Sequence, residues 1–350
     1  MIGVDLFSGA GGMSVGARQA GIRVHAAVEN DPHAAHTYRA NHPDVLLFAD
    51  DIRHLVHLDV PRNEPLVIFG GPPCQGFSTS NQRTRSAENT NNWLYAEFLR
   101  VVQMFTPLPE WIVFENVKGF TETADGLFLQ TVLDQLRGLG YTVTSQVLNA
   151  AHFGVPQRRN RFFAIASLHG HEVHVPQLCT PPVTVDEAFA DLPPLEIGAN
   201  SDRLPYRSTE PSAYARALRG DLQECVGHLV SRNAAGVVKR YAHIPQGGNW
   251  ENIPAELMDN YKDHSRCHTG IYHRLHAERP SIVIGNYRKN MLIHPTQHRG
   301  LSVREAARLQ SFPDNFEFKG SIGFQQQQVG NAVPPLLARA VFDAILNCNQ

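Results

Sequence analysis

The sequence predicts an α/β protein built on a doubly wound, mostly parallel sheet. From residue 1 to about 167, short apolar runs rich in β-branched side chains alternate with helical patterns. The runs IGVDLF, VHAAVEN, LVIFGG and WIVFENV have the length and composition of buried parallel strands. Because strands and helices alternate along the chain, we expect βαβ crossovers with helices on both faces of the sheet.

A helical pattern follows each of these runs. The patterns are GGMSVGARQAG, PHAAHTYRANH, WLYAEFLRVVQMF and GLFLQTVLDQLRGLGY, in that order. Two later runs, VTSQVLNA and RFFAIAS, extend the predicted sheet. Near the end of the chain, SVREAARLQSF and PPLLARAVFDAILN predict two more helices, the second with proline in its first turn, where helices tolerate it.

Length and composition indicate a soluble globular protein. The 350 residues are 42 % hydrophobic and 18 % charged, which excludes disorder as the main architecture. At this length we expect one large domain and a smaller one. No run of ~18 uninterrupted apolar residues is present, and the first residues fit a core strand better than an export signal. We therefore expect a cytoplasmic protein with no membrane segment, and its compactness favours a monomer.

Net charge and cysteine content bear on which partners, disulfides and metal sites the protein can have. Lys and Arg number 31 against 33 Asp and Glu, so the net charge of -2 neither proposes nor excludes a nucleic-acid partner. The 5 cysteines are far apart and form no C-x-x-C pair, which argues against a disulfide framework or a thiolate zinc site. A cluster of histidines with one cysteine matches no common zinc spacing, so we expect no metal. It comprises His264, Cys267, His268, His273 and His276.

The character of the chain changes after Ser167. Residues 170–298 are rich in Pro, His and Asn at irregular spacing, and clean periodicity returns only near Ser302. We interpret this stretch as a second, loop-rich domain inserted into the first. The predicted domains are 1–168, 169–298, and 299–350, the last of which completes the first domain.

The first strand ends in DLFSGAGG and opens directly into a helix. Gly9, Gly11 and Gly12 let the backbone approach a ligand closely, and the amino terminus of the helix favours a polar or anionic group. A dinucleotide fingerprint would need glycine at position 14, where the chain has Ser14, so NAD and FAD are disfavoured.

Two acidic residues follow the next strands. Glu29, at the end of the second strand, is placed to accept hydrogen bonds from a ribose. Asp51, after the third apolar run, could receive an adenine amino group by the same logic. The alternative is that both acids only cap helices.

The segment GGPPCQGFS follows the fourth strand. Cys74 therefore lies where loops at the carboxyl ends of parallel strands build active sites, and two prolines fix the backbone that presents the thiol. A free thiol has a pKa of ~8.5, so a nucleophilic one needs local help. A cysteine after a strand is more often only buried, but two glycines and two prolines are poor choices for a packing position.

The next strand end carries Glu115 and Asn116, in WIVFENVKG. Neighbouring strands deliver their ends to one edge of the sheet, so we expect Cys74 and Glu115 to be close. A carboxylic acid beside a nucleophilic thiol suggests addition to an electron-poor ring, with the acid binding or protonating a ring nitrogen.

A basic segment, QRRNR, begins the following strand. Alternate residues of a strand face one side, so Gln157, Arg159 and Arg161 would point together into the site. The alternative is a solvated basic edge.

Together these segments resemble the DNA cytosine-5 methyltransferase family of prokaryotic restriction-modification type. DLFSGAGG resembles its cofactor motif, PPCQGFS its nucleophile loop, FENVKG its glutamate motif, and QRRNR its Gln-x-Arg-x-Arg motif. RGLSVREAARLQSFPD and QVGNAVPP resemble its last two motifs, and all six occur in the family's order over residues 4–335. The resemblance implies a Rossmann-like S-adenosylmethionine-dependent methyltransferase fold, with a smaller target-recognition domain inserted between Ser167 and Arg299.

The resemblance also implies a DNA (cytosine-5-)-methyltransferase that acts on double-stranded DNA and flips the target cytosine out of the helix. Cys74 would add to C6, Glu115 would hold N3 and the exocyclic amine, Arg161 would contact O2, and Arg159 the adjacent phosphates. The activated C5 then takes the methyl group of S-adenosylmethionine, after which a base removes the C5 proton and Cys74 is eliminated. A cognate restriction endonuclease acting on the same site is a further expected partner.

Binding contacts follow from the same motifs. The implied cofactor contacts are Phe7, Ser8, Gly9, Gly11, Gly12, Glu29, Asn30, Asp51, Ile52, Pro72, Leu94 and Asn331. The expected substrate contacts are Pro73, Gln75, Gly76, Ser78, Asn116, Gln157, Arg288 and Lys289. Two positions depart from the family: Asp50 precedes Asp51 where relatives commonly have glycine, and Val283 stands where they often have threonine.

Three other hypotheses stay open. The tRNA-methylating branch of the same family shares the catalytic core, although PPCQGFS and the long insertion are more similar to the DNA-modifying branch. A thiol-nucleophile hydrolase would require a histidine base for Cys74, and no histidine motif lies at a strand end in the first domain. A DNA-binding protein that has lost catalysis is disfavoured, because Cys74, Glu115, Arg159 and Arg161 are all present.

Overall fold

The computed structural model describes residues 1–73, 93–207, 210–258, 270–285, 287 and 292–348. Its main sheet contains β1 (Ile2–Leu6), β2 (Arg23–Val28), β3 (Leu46–Phe48), β4 (Leu66–Gly70), β5 (Trp111–Val117), β6 (Thr142–Asn149) and β7 (Asn160–Ser167). The order across the sheet is β3-β2-β1-β4-β5-β7-β6. Strands β1 to β5 pair in parallel, whereas β7 runs antiparallel to both β5 and β6.

The two strands at the centre of the sheet are apolar except for Asp5 of β1, because both of their faces are covered. Every residue of β1 and β4 is buried, as the continuous runs IGVDL and LVIFG indicate. Helices α1 (Gly12–Gln19), α2 (Pro32–Asn41), α3 (Leu94–Gln103) and α4 (Leu127–Gly138) alternate with the strands. The predicted α/β fold class is confirmed.

The remaining elements are mostly short. They are α5 (Val185–Phe189), β8 (Arg203–Pro205), α6 (Ala213–Arg219), β9 (Glu224–Val226), α7 (Ala235–Tyr241), α8 (Val303–Leu309), α9 (Ile322–Asn331) and α10 (Pro335–Asn347). Strands β8 and β9 form a separate antiparallel pair. Helix α9 was not predicted, because a run of polar glutamines gives it no apolar periodicity.

The chain packs into two compact units. The first contains residues 1–153, 160–179 and 333–350, and the second contains 154–159 and 180–332. Residues 299–332 therefore belong to the same compact unit as most of the inserted region. Compact units are not functional domains, so the boundaries after residues 168 and 298 stay predictions.

Buried charges explain why residues 299–332 pack with the insertion. Arg308 of α8 is fully buried and ion-paired with Asp191 and Asp314, at 2.5 Å and 2.6 Å. Its Nη1 also donates to the carbonyl of Ala188 at 2.9 Å. The hydroxyl of Tyr206 donates to Asp314 at 2.6 Å. This charge network ties α8 to the inserted chain.

One stretch, Ile322–Asn347, is long and apolar enough to cross a membrane, with a mean hydropathy of 1.3. It consists of two helices, α9 and α10, and 67 % of its most apolar window is buried. Within the first unit α10 packs closely on α1, since a Cβ on Gly16 would lie 2.6 Å from that of Ala338. Core helices of soluble proteins have the same length and composition.

Candidate active site

A strained turn connects β1 to α1. Phe7, Gly9 and Gly11 have positive φ angles of 60°, 56° and 99°, which explains the glycines. A Cβ on Gly11 would lie 2.7 Å from His42 Nε2, whereas one on Gly9 would meet nothing within 4 Å. The backbone of Gly9 therefore faces open space, while Gly11 is needed for packing.

The turn fits a polar ligand at two points. Ser8 Oγ is buried and has no hydrogen-bond partner among the described residues. Glu29 accepts hydrogen bonds from the backbone N–H groups of Gly9 and Asp31, each at 2.7 Å. Burial raises the pKa of Glu29, although these N–H groups oppose the shift. The side chain that caps α2 is Asp31, so Glu29 is not a helix cap.

Asp51 has the contacts expected of a residue that caps the start of a helix. Its carboxylate accepts from Arg53 N at 3.0 Å and from Arg53 Nε at 2.9 Å, at the start of a short 3-10 helix. The Arg53 hydrogen bond lowers the pKa of Asp51 to about 2. An adenine amine would have to share this carboxylate with Arg53, and that contact stays a prediction.

Three other predicted cofactor residues of the first unit belong to or pack against one hydrophobic cluster. Phe7 and Leu94 are partly buried against one hydrophobic cluster, which also contains Ile52. Gly12 begins α1, Asn30 is exposed, and Pro72 is buried. Asn331 is exposed and ends α9 in the second unit.

A polar network that the sequence analysis missed lies behind the glycine-rich turn. Ser14 Oγ donates to Asp5 Oδ2 at 2.6 Å and lies 2.7 Å from Tyr38 Oη. Asp5 is 1 % exposed. Burial raises its pKa to about 8, and the charge of Glu29 adds to the shift. Asp5 stands in the motif DLFSGAGG, but nothing in its spacing indicates a buried acid.

We expect Asp5→Asn to flatten part of the pH dependence of stability. Unfolded Asp5 ionises near pH 4, whereas folded Asp5 stays protonated to about pH 8. Its stabilising contribution is therefore complete below the unfolded pKa and is lost as the pH rises to about 8, by up to ~1.4 kcal/mol per pH unit. Urea unfolding midpoints at pH 5, 6.5 and 8 measure this. As the pH rises, the unfolding midpoint of the variant should increase relative to that of wild type. A difference in midpoint that is the same at all three pH values would contradict the raised pKa of Asp5. The exposed Asp134→Asn is the control.

The glycines that end β4 are required by close contacts. A Cβ on Gly70 would lie 1.9 Å from the Leu6 carbonyl oxygen on β1, and one on Gly71 would lie 2.3 Å from Glu115 Oε2. Asn116 Nδ2 donates to the carbonyl of Pro72 at 3.1 Å, and Asn116 itself is buried. The Gly-Pro turn is thus fitted against the end of β5. The sequence analysis attributed no role to Gly71.

Glu115 and Arg161 form an ion pair at this edge of the sheet. Arg161 Nε lies 3.0 Å from Glu115 Oε1, and their side chains are 11 % and 9 % exposed. The antiparallel register of β5 and β7 brings them together, because Val117 pairs with Arg161. Burial lowers the pKa of Arg161, and the charge of Glu115 opposes this. The pair can present a carboxyl group and a cation to one polar ring.

Gln157 and Arg159 precede β7, which begins only at Asn160, so strand alternation does not extend back to them. Both are buried in the second unit, at 0 % and 1 % exposure. Arg159 donates to the carbonyls of Ile284, Gly330 and Ala332, and Gln157 Nε2 donates to Leu309. The predicted contacts of both side chains to the substrate stay predictions.

Several predicted residues lie outside the described part of the chain. They are Cys74, Gln75, Gly76, Ser78, Arg288 and Lys289. Pro73, next to Cys74 in the chain, is described and exposed. Within the described ranges no group of three or more His, Cys, Asp or Glu side chains could hold a metal ion. His264, Cys267 and His268 fall outside those ranges.

The fold is the Rossmann-like fold of S-adenosylmethionine-dependent methyltransferases. The sequence model for C-5 cytosine-specific DNA methylases matches residues 1–347. The Type II methyltransferase M1.HphI of Haemophilus parahaemolyticus is 38% identical, over 99% of this chain and 87% of that protein. M.DdeI of Desulfomicrobium norvegicum is 32% identical, over 98% of this chain and 88% of that protein.

Solved structures agree with this assignment. The crystal structure of a protein described as a DNA modification methyltransferase of an E. coli prophage has a TM-score of 0.80, with 26% identity and full coverage of both chains. The S. pombe Dnmt2 methyltransferase has a TM-score of 0.58 at 16% identity, which shows the fold alone, and full coverage of both chains. This chain belongs to the C-5 cytosine-specific DNA methylase family and is a DNA (cytosine-5-)-methyltransferase.

Proposed function

We propose that the protein methylates C5 of a cytosine within one short sequence of double-stranded DNA, through a transient bond between Cys74 Sγ and C6 of a flipped-out base. The observation that carries the proposal is the buried pair of Glu115 and Arg161, fitted against the turn that precedes Cys74 in the chain. A base inside a duplex cannot reach such a recessed pair, so it has to leave the stack.

The residues divide the chemistry between them. Addition of the Cys74 thiolate to C6 places negative charge on N3 and O2 of the ring and makes C5 nucleophilic. Glu115, as an acid, would protonate N3, and Arg161 would stabilise the charge at O2. After C5 has been alkylated, loss of its proton and elimination of the Cys74 thiolate restore the 5,6 double bond.

The turn after β1 is the proposed site of S-adenosylmethionine. The cofactor would supply a methyl group on a positively charged sulfur. Ser8 Oγ, the open face of Gly9 and the two acceptor oxygens of Glu29 suit a ligand with hydroxyl and amino groups. Phe7 and Leu94, which share one apolar cluster, suit an adenine ring, with Ile52, Gly12, Asn30, Pro72 and Asp51 around it and Asn331 as a contact to the methionine part.

The contacts to DNA belong to the same proposal. Pro73 and the loop that includes Gln75, Gly76 and Ser78 would contact the flipped nucleotide, while Arg288 and Lys289 would contact the duplex.

We propose that the protein acts as a cytoplasmic monomer beside a restriction endonuclease of the same specificity. Two relatives over 30% identical are Type II methyltransferases, which supports this setting.

The test is methyl transfer from labelled S-adenosylmethionine to unmethylated duplex DNA, with bisulfite mapping of the product. We expect methylated cytosines within one short sequence context, and no transfer by Cys74→Ser, because a hydroxyl is a far weaker nucleophile than a thiolate at neutral pH. Cys225→Ser, at a buried cysteine of the second unit, is the matched control.

A second substrate separates the covalent mechanism from other routes. DNA with 5-fluorocytosine at the mapped position has no C5 proton to lose, so the adduct should accumulate as a denaturation-resistant complex with wild type only. Transfer without such a complex would contradict the covalent step. Methyl transfer to tRNA, with none to DNA, would show that the substrate is tRNA and would overturn the proposal.

A further inference from the structure

One guanidinium holds the backbone on both sides of Asn331. Arg159 Nη2 donates to the carbonyl of Gly330 at 2.9 Å and to that of Ala332 at 3.0 Å. Arg159 Nη1 donates to the carbonyl of Ile284 at 2.7 Å. All of these residues lie in the second compact unit. A single side chain therefore fixes the peptide groups that flank Asn331.

A pair of glutamines completes this clasp. Gln310 Nε2 donates to the carbonyls of Val329 and Ala332, at 2.6 Å and 3.3 Å. Gln157 Nε2 donates to Gln310 Oε1 at 2.8 Å, and its Oε1 accepts from the N–H of Ile284 at 2.8 Å. Gln310 is fully buried. Arg159, Gln157 and Gln310 thus form one connected set, called the Asn331 clasp below.

The clasp lies at the carboxyl end of α9, which is Asn331 itself. The last carbonyls of a helix have no partner within the helix, and a cation near them is favoured by the helix dipole. Arginine suits this position because its planar fork reaches three carbonyls with two separate nitrogens, while lysine offers a single nitrogen. The arrangement is therefore specific for arginine.

We infer that Arg159 is a positioning residue for Asn331, and through it for S-adenosylmethionine, rather than a contact to DNA phosphates. The inference rests on the proposed function, in which Asn331 contacts the cofactor. Nη1 and Nη2 of the buried Arg159 donate to backbone carbonyls, so a phosphate contact through those N–H groups would have to displace a carbonyl. Its neighbour Arg158 has an exposed side chain and is the basic group of this segment open to solvent.

The experiment compares Arg159→Lys with Arg158→Lys, which conserves charge at the adjacent position. Binding of S-adenosylhomocysteine is measured by titration calorimetry, and binding of duplex DNA by fluorescence anisotropy at several salt concentrations. We expect Arg159→Lys to weaken cofactor binding about tenfold, with DNA affinity and its salt dependence unchanged. Arg158→Lys should leave cofactor binding unchanged.

A phosphate contact predicts the opposite pattern. If Arg159 contacts a phosphate, Arg159→Lys should leave cofactor binding intact and weaken DNA binding, and because the charge is kept the slope of log K against log salt should change by at most about 1. That outcome for Arg159→Lys overturns the inference. Wild type that binds no cofactor would overturn the proposed function instead, so the two failures are distinguishable.

A double variant with Asn331→Ala distinguishes a positioning role of Arg159 from general destabilisation of the protein. In an Asn331→Ala background, Arg159→Lys should cost little further cofactor affinity, because the group that it positions is gone. A full additional tenfold loss in that background overturns the inference. If Arg159→Lys does not fold, Gln310→Met is the second variant, since it removes the amide donors to Val329 and Ala332 and the acceptor of Gln157 Nε2 while Arg159 is kept. It should weaken cofactor binding in the same direction and show the same coupling.

Discussion

Gly71→Ala is expected to lower kcat for methyl transfer by about two orders of magnitude or more, in a protein that remains folded. A Cβ at this position would lie 2.3 Å from Glu115 Oε2, so the carboxylate has to move. The movement would break its 3.0 Å contact with Arg161. Gly71 has no positive φ, so its backbone accepts alanine and the effect is steric.

Single-turnover rates with saturating DNA and labelled S-adenosylmethionine measure this effect. Gly138→Ala is the matched control, because a Cβ there meets nothing within 4 Å and the backbone angle is also permissive. In a Glu115→Gln background the Gly71 substitution should cost much less than it does alone, since its target is already disabled. Wild-type rates for Gly71→Ala, or equal losses in both backgrounds, would show that Glu115 does not depend on this glycine.

Arg308→Met is expected to destabilise the second unit by ~3–5 kcal/mol, because it removes the cation that the buried carboxylates of Asp191 and Asp314 share. The longer ion pairs of Asp191 with Arg219, at 3.4 Å, and of Asp314 with Arg304, at 3.7 Å, remain. Arg308 is itself fully buried and lies 2.6 Å from Asp314. The ion pair also holds the pKa of Asp314 below its ordinary value against the effect of burial. Its contribution is therefore present above the unfolded pKa of Asp314 and is lost as the pH falls through the lower folded value.

Urea unfolding monitored by circular dichroism measures the loss. The double variant Arg308→Met with Asp314→Asn should recover part of the stability, because it removes one of the two buried negative charges that Arg308 compensated. Arg137→Met is the control, since Arg137 and Asp134 form an exposed pair on α4 and such pairs contribute little. A loss at Arg308 no greater than at Arg137 would show that the network is not structural.

The sheet could be predicted from the sequence because its strands are buried on both faces. Continuous apolar runs mark β1, β4 and β5, and the position of Glu115 at the end of β5 follows from the run that precedes it. The glycine-rich turn could also be predicted from the sequence, because glycine readily adopts the positive φ angles found at Gly9 and Gly11. Local sequence determines these features.

Features that depend on tertiary contacts were not predicted. Helix α9 buries Gln325, Gln326 and Gln328, so the usual rule that buried faces are apolar fails there. The residues before β7 were assigned to the strand, but the N–H of Arg158 pairs with the carbonyl of Ser281, far along the chain. The role of Gly71 depends on the position of Glu115, which no local pattern around that glycine reveals.

The course of the chain through its two compact units limits how the protein can be recombined with its relatives. A chimera that exchanges only residues 169–298 would bring in foreign residues at the positions of Asp191 and Tyr206 while retaining Arg308 and Asp314 of the original chain. We expect such hybrids to misfold wherever those partners do not match. Junctions near residues 180 and 332, the ends of the second unit, transfer the charge network intact.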